Sequence, residues 1–178
     1  ADRLTRVTDP KGNQRDFTYD AANRLTQRQV RVGGAVQSTT AYGYDAADRL
    51  VSLAEGSDTW TLAYDVVDRV LQVVSPQGTV DYTYDANGRR TRMVASGQSP
   101  VTYAYDLVDR LTGTTQGGQT YGYAYDAIGR RTALTRPNGV DTAYAYDDAD
   151  QVTRIRHQKA GGLDEIHDYA YDANGNVL

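Results

Sequence analysis

Residues 80–90 read Val80-Asp81-Tyr82-Thr83-Tyr84-Asp85-Ala86-Asn87-Gly88-Arg89-Arg90, and this stretch decides the fold. Val80, Tyr82 and Tyr84 alternate with smaller or polar residues, so the three share one face of a strand. Asp85 suits the first position of a type I turn, where its carboxylate accepts backbone N–H groups. Gly88, the fourth residue, tolerates the positive φ of a type I turn that ends in a left-handed residue and a bulge. The chain then returns as a second strand, from Arg89 through Thr91, Arg92 and Met93 to Val94. One such unit is a β-hairpin.

The same letters recur along the chain. Tyr-Asp stands at Tyr19-Asp20, Tyr44-Asp45, Tyr64-Asp65, Tyr84-Asp85, Tyr105-Asp106, Tyr125-Asp126, Tyr146-Asp147 and Tyr171-Asp172. Successive Asp residues are 25, 20, 20, 21, 20, 21 and 25 positions apart. The fourth residue of each motif is Asn23, Asp48, Asp68, Gly88, Asp109, Gly129, Asp150 or Gly175, all types that accept positive φ. Arg follows at Arg24, Arg49, Arg69, Arg89, Arg110 and Arg130, whereas Gln151 and Asn176 take that place in the last two units. A large side chain precedes each motif Tyr by two: Phe17, Tyr42, Leu62, Tyr82, Tyr103, Tyr123, Tyr144 and Tyr169. Gly- or Pro-containing clusters such as Pro76-Gln77-Gly78 and Gly117-Gly118 mark a second turn in each unit. Longer second hairpins around Gly33 and Gly161 account for the 25-residue spacings.

Two turns of ~4 residues leave two strands of ~6 in each period, so the chain predicts about 16 antiparallel strands and almost no helix. The residue before each motif Tyr is small (Thr18, Gly43, Ala63, Thr83, Ala104, Ala124, Ala145 or Ala170), so one strand face is a rank of rings and the other is small. Two residues further upstream the large rank continues through Trp60, Val80, Val101 and Tyr121, less cleanly through Arg15, Thr40, Thr142 and His167. In the return strand, apolar residues lie three apart, as in Leu50/Leu53 and Val70/Val73, which breaks simple alternation and suggests a bulge. A return-strand residue separates equivalent Tyr residues by two strand spacings, ~9.6 Å, so the expected ring partners are Leu25, Leu50, Val70, Leu111 and Val152, with Arg90 and Arg131 lying over rings. A central ring such as Tyr84 or Tyr105 is expected to be mostly buried, with truncation to Ala costing roughly 3–5 kcal/mol.

Composition agrees with an all-β reading. Asp outnumbers Glu 21 to 2, and the chain has 15 Tyr and 17 Gly among 178 residues. Asp favours turns, and Tyr, Thr and Val favour strands. The absence of Cys excludes disulfides, thiolate-held metals and a thiol nucleophile. A net charge of -4 argues against broad attraction to nucleic acid or anionic lipid. No apolar run is long enough for a helical membrane span.

Eight copies of Y-D-x-x-[GDN], six of them followed by Arg, at a spacing of about 20 residues and preceded by Asp9-Pro10-Lys11-Gly12-Asn13, resemble the Rhs/YD-repeat family over essentially the whole chain. The resemblance implies a repetitive antiparallel hairpin meander in a curved, spiralling sheet that forms part of a hollow shell. Bacterial Rhs proteins and the cocooning components of insecticidal toxin complexes hold a toxic region inside such a shell, and teneurins carry a related shell outside animal cells. It further implies an exported, secreted or cell-surface protein, a non-enzymatic wall role, and two kinds of partner: the remaining repeats of a parent chain and an enclosed polypeptide. Residues 1–178 read as one array of about eight repeats, truncated mid-repeat at both ends, with Asp2-Arg3-Leu4 matching Asp48-Arg49-Leu50. Its outer strands are expected to be open edges prone to self-association.

Sharper chemistry competes poorly with this. Tyr and Arg invite a nucleic-acid reading, but cross-strand ladders and Arg–Asp turn pairs explain them, and the net charge opposes a basic track. Asp-rich turns invite calcium, yet they supply too few ligands at calcium-loop spacing. His157, His167, Asp164, Glu165 and Asp168 form the one tempting acid/base cluster and read as solvated loop tips. No catalytic, cofactor or metal residues are assigned. The alternative function is a cell-surface adhesion or carbohydrate-binding β module, and the alternative fold a β-propeller with two units per ~40-residue blade.

Overall fold

A computed structural model describes residues 3–162 and 164–178. Asp2, matched above to Asp48, lies outside the described residues. The chain divides into two compact units, residues 1–82 with 94–97 and residues 83–93 with 98–178. The first holds β1 (Arg6–Thr8), β2 (Gln14–Tyr19), β3 (Leu25–Val32), β4 (Ala35–Tyr44), β5 (Leu50–Glu55), β6 (Asp58–Tyr64) and β7 (Val70–Ser75). Strands β8 (Gly78–Tyr84) and β9 (Arg90–Ala95) contribute residues to both units. The second holds β10 (Val101–Tyr105), β11 (Leu111–Gln116), β12 (Gln119–Tyr125), β13 (Arg131–Thr135), β14 (Val140–Tyr146), β15 (Val152–Lys159) and β16 (Asp164–Asp168). Strand order is chain order from β1 to β16, with antiparallel neighbours and no described residue in a helix. The propeller alternative is set aside, because this order shows no grouping into four-stranded blades.

The turns form where the motif places them. Positive φ occurs at all eight fourth positions, from 64° at Asp48 and Asp150 to 95° at Gly129. The return strand does carry a bulge. In β4–β5, Tyr44 pairs with Leu50 and Gly43 with Ser52, so Val51 is the extra residue. Leu53 then faces Tyr42, which puts Leu50 and Leu53 on the Tyr face despite their spacing of three. The same slip places Leu25 opposite Tyr19, Val70 opposite Tyr64, Leu111 opposite Tyr105 and Val152 opposite Tyr146. Rows such as Tyr42–Leu53–Trp60 and Leu62–Val73–Val80 continue the large layer from strand to strand.

Burial of the rings is substantial but incomplete. Tyr84 and Tyr105 are mostly buried, as expected, but no apolar side chain among the described residues is fully buried. The reason is that, within each unit, the described strands touch only their sequence neighbours and carry no second layer. Among the described residues, ring coverage comes from the adjacent strand and from the turn arginines beside it. The most buried residues are Thr40 and Thr142, at 2 % and 1 % exposure, which occupy the weak positions of the large rank.

One correction concerns the histidines. His157 lies in β15 and is half-buried, and Asp164, Glu165, His167 and Asp168 lie in β16, not at a loop tip. They are exposed because β16 is the outermost strand of its unit.

Candidate functional site

Each Y-D turn is a small electrostatic clamp, shown by Asp45. Its Oδ1 accepts the backbone N–H groups of Ala47 at 2.9 Å and Arg49 at 3.0 Å, and its Oδ2 accepts Arg49 Nε–H at 2.7 Å. The Asp45 N–H donates to the Arg49 carbonyl at 3.0 Å, and the Asp48 N–H donates to the Asp45 carbonyl at 3.2 Å. Asp20, Asp65, Asp85, Asp106 and Asp126 hold Arg24, Arg69, Arg89, Arg110 and Arg130 in the same way at 2.6–2.7 Å. At Asp172, Asn176 substitutes for Arg and donates from Nδ2 to Oδ2 at 2.9 Å. These carboxylates are thus occupied by backbone N–H and guanidinium donors. Among the described residues, no group of three His, Asp or Glu side chains is placed to hold a metal ion.

The same Arg reaches into the next unit. Arg49 Nη1 donates to the Asp65 carbonyl and to Asp68 Oδ1, both at 2.9 Å, and its guanidinium lies 4.8 Å from the Tyr64 ring centroid. The Tyr64 hydroxyl donates back to the Leu50 carbonyl at 2.8 Å. Equivalent rungs join Arg24 to Tyr44, Asp45 and Asp48, Arg89 to Tyr105, Asp106 and Asp109, and Arg130 to Tyr146, Asp147 and Asp150. Arg110 reaches the Tyr125 ring and the Asp126 carbonyl, where the fourth residue is Gly129 and offers no carboxylate. Arg90 and Arg131 lie 4.7 Å over Tyr103 and Tyr144, as the sequence predicts.

This reach between units is what sequence reasoning missed. A signal existed: Asp48, Asp68, Asp109 and Asp150 are the fourth residues that follow, one unit later, Arg24, Arg49, Arg89 and Arg130. Asp at positive φ is less comfortable than Gly, and an acceptor role explains it. The Asp109 carboxylate is 62 % exposed, so its pair with Arg89 at 2.8 Å is screened and weak. Asp109→Gly is therefore expected to stay within about 0.5 kcal/mol of the parent in urea unfolding, backbone relief offsetting the lost pair. Asp109→Val loses both and is expected to cost about 1 kcal/mol or more. A Gly variant as unstable as the Val variant would show the pair to outweigh the backbone.

The turn carboxyls also set a pH response. Backbone N–H donation from Arg49, then its guanidinium, holds the Asp45 carboxyl below its ordinary range, and Arg24 does the same for Asp20. Asp126 is lowered first by the Arg130 guanidinium, and Asp172 first by the Asn176 side chain. A depressed folded value gives stability that is present above the unfolded value, about 3.9 for Asp, and lost as pH falls through the folded value. Thermal melting is thus expected to be level near neutrality and to fall steeply below about pH 4. A flat acid limb would refute the clamp as a stabilising element.

Elsewhere the surface offers open depressions. One of about 190 Å³ is lined by Val7, Asp9, Asn13, Gln14, Arg15, Val30 and Val32. Among the described residues, no helix is long and apolar enough to cross a membrane.

The repeat unit is shared with known proteins. The family description "RHS Repeat" matches residues 1–36 and 64–99, and "Teneurin YD-shell" matches residues 89–178, half of the chain. The chain belongs to the Rhs/YD-repeat family. No curated protein matches it significantly. Among solved structures, this Rhs/YD-repeat chain superposes on the crystal structure of TcdB2-TccC3-TEV with a TM-score of 0.72 at 17 % identity, covering 97 % of this chain and 11 % of that one. It also matches the Photorhabdus luminescens Tc holotoxin pore carrying the TccC3-D651A mutation, with a TM-score of 0.66 at 15 % identity over 97 % of this chain and 12 % of that one. At such identities the likeness is one of fold. The Rhs/YD-repeat chain spans about a tenth of the length of these solved chains.

Proposed function

We propose that this chain is a wall segment of a YD-repeat shell that encloses a polypeptide, a toxin-type cargo, within a larger exported, secreted or cell-surface protein. The observation that carries the reading is the ladder itself. The polar and aromatic side chains of the motif hold hairpin to hairpin, and each Arg completes the next unit rather than facing a substrate. Residues Tyr19, Asp20, Arg24 and their equivalents through Tyr171, Asp172 and Gly175 are thus structural. An enzyme needs one unit that differs, whereas these turns use the same groups repeatedly. The carbohydrate-binding alternative needs open ring faces, yet the rings of Tyr44, Tyr64, Tyr105, Tyr125 and Tyr146 each carry a guanidinium on one face. The fold shared with Tc toxin structures supports the shell, and the outer strands β1 and β16 suit joining further repeats or a second copy.

Protease protection in the longer parent protein tests this. The enclosed segment is expected to resist trypsin at levels that digest it when it is expressed alone. Tyr44→Ala combined with Tyr64→Ala should open the wall and restore digestion. Equal digestion in all three preparations, or glycan binding lost on the same substitutions while folding persists, would defeat the shell reading.

A further inference from the structure

One rung of the ladder has lost its cation. At Arg24, Arg49, Arg89, Arg110 and Arg130 the pattern is constant: Nε donates to the Asp Oδ2 of its own turn at 2.6–2.7 Å, Nη1 donates to the next Asp carbonyl at 2.8–3.2 Å, and the guanidinium sits 4.8–5.0 Å from the next Tyr ring centroid. The seventh unit has Gln151 at that place. Its turn is otherwise intact, since Asp147 Oδ1 accepts the N–H groups of Ala149 and Gln151 at 2.9 Å each. Tyr171 also keeps its ladder position, its hydroxyl donating to the Val152 carbonyl at 2.8 Å.

Yet among the described residues Asp147 Oδ2 has no donor, and no cation lies over Tyr171. The Gln151 side chain runs toward the eighth unit, its Nε2 3.0 Å from where a Cβ on Gly175 would stand. Its amide thus lies against Gly175 and not on Asp147 Oδ2, where the Arg Nε of an intact rung sits, and a Gln side chain has no guanidinium head to stack on the ring. The fourth residue ahead is Gly175, as Gly129 is ahead of Arg110, so a carboxylate at that position is not required for a rung.

We propose that this rung binds a guanidinium supplied in trans: an arginine side chain of a partner polypeptide stacks on the Tyr171 ring and bonds Asp147 Oδ2 and the Asp172 carbonyl. Five intramolecular copies of the arrangement show that the acceptors and the ring together fit that group. A lysine ammonium is a compact, strongly hydrated point charge, and it lacks the planar fork that stacks on a ring while bonding two acceptors.

The test is an NMR titration of the full 178-residue chain, reading the Tyr171 ring and the Asp147 carboxyl, with N-acetyl-arginine amide and N-acetyl-lysine amide as probes. The arginine probe is expected to give saturable shifts at both sites with half-saturation in the millimolar range, and the lysine probe a response several-fold weaker. Gln151→Arg should abolish the response, its own guanidinium moving the Tyr171 ring signals toward those of Tyr146. Asp147→Asn keeps an oxygen for the two backbone N–H groups and should weaken binding several-fold, which serves if the Arg variant folds poorly. No saturable shift at Tyr171, an equal response to lysine, or an undiminished response in both variants would overturn the proposal.

Discussion

Thr142→Val is expected to lower the unfolding free energy by about 1–3 kcal/mol, the range for removing one partner of a buried hydrogen bond. Thr142 is 1 % exposed, and its Oγ1 accepts Arg136 Nη1–H at 2.6 Å and stands 2.9 Å from His157 Nδ1. Valine keeps the shape and removes the oxygen. Arg136 then retains only the longer bond to the Val140 carbonyl at 3.2 Å, and His157 Nδ1 loses its partner in a half-buried position. Thr142→Ser, which keeps the hydroxyl, should lose less. Thr40→Val should also lose less, because Thr40 accepts only from Arg28 Nη2 at 3.2 Å and the buried Arg28 Nε already lacks a partner. Urea unfolding of the three variants checks the order. A Thr142→Val protein as stable as the parent would show that the cluster contributes shape and no net hydrogen bonding.

The contrast between Thr142 and the tyrosines marks what was legible in the sequence. Turn chemistry is local, so Asp at the first position and Gly, Asn or Asp at the fourth were enough to place all eight hairpin turns and their positive φ. The three-residue spacing of Leu50 and Leu53 signalled a bulge, but only the pairing of Tyr44 with Leu50 and Gly43 with Ser52 places it at Val51. Which residues become fully buried was not legible. Alternation tells which face a ring is on, not whether anything covers that face, and here the neighbouring strand and a turn arginine provide the cover. Thr40 and Thr142 looked like interruptions of the large rank. They are buried because Arg28 and Arg136, long side chains from adjoining segments, fold over them. The arginine rungs were hidden for a related reason: a contact between consecutive units appears in sequence only as a correlation about 20 residues away. The missing Arg at position 151 was visible as an exception, but its meaning needed the geometry of the intact rungs.

Incomplete burial sets the cost of cutting a rung. Tyr105→Ala is expected to cost about 2–3 kcal/mol, below the 3–5 of a fully buried aromatic truncation. Three contributions make up that figure. The ring packs across from Leu111 in β11 and loses less apolar burial than a fully buried core ring would. Its hydroxyl donates to the Arg90 carbonyl at 2.9 Å, worth about 1 kcal/mol. Its face carries the Arg89 guanidinium at 4.9 Å, worth about 0.5–1 kcal/mol at an exposed site. Tyr105→Phe isolates the hydroxyl and should cost about 1 kcal/mol. Tyr171→Ala removes a ring with its hydroxyl bond to Val152 but with no cation from the described residues, in a turn closed by the single bridge Tyr171–Val177. Its loss should be smaller than that at Tyr105 by at least the cation contribution. In a Gln151→Arg background the two losses should move closer, because the eighth unit then has the same rung. Chemical denaturation of the four single variants, with Tyr171→Ala repeated in that background, gives the comparison. Equal losses at Tyr105 and Tyr171 in the parent would mean that the arginine rungs add nothing to the sheet, and the stability of the array would have to come from strand pairing and apolar rows alone.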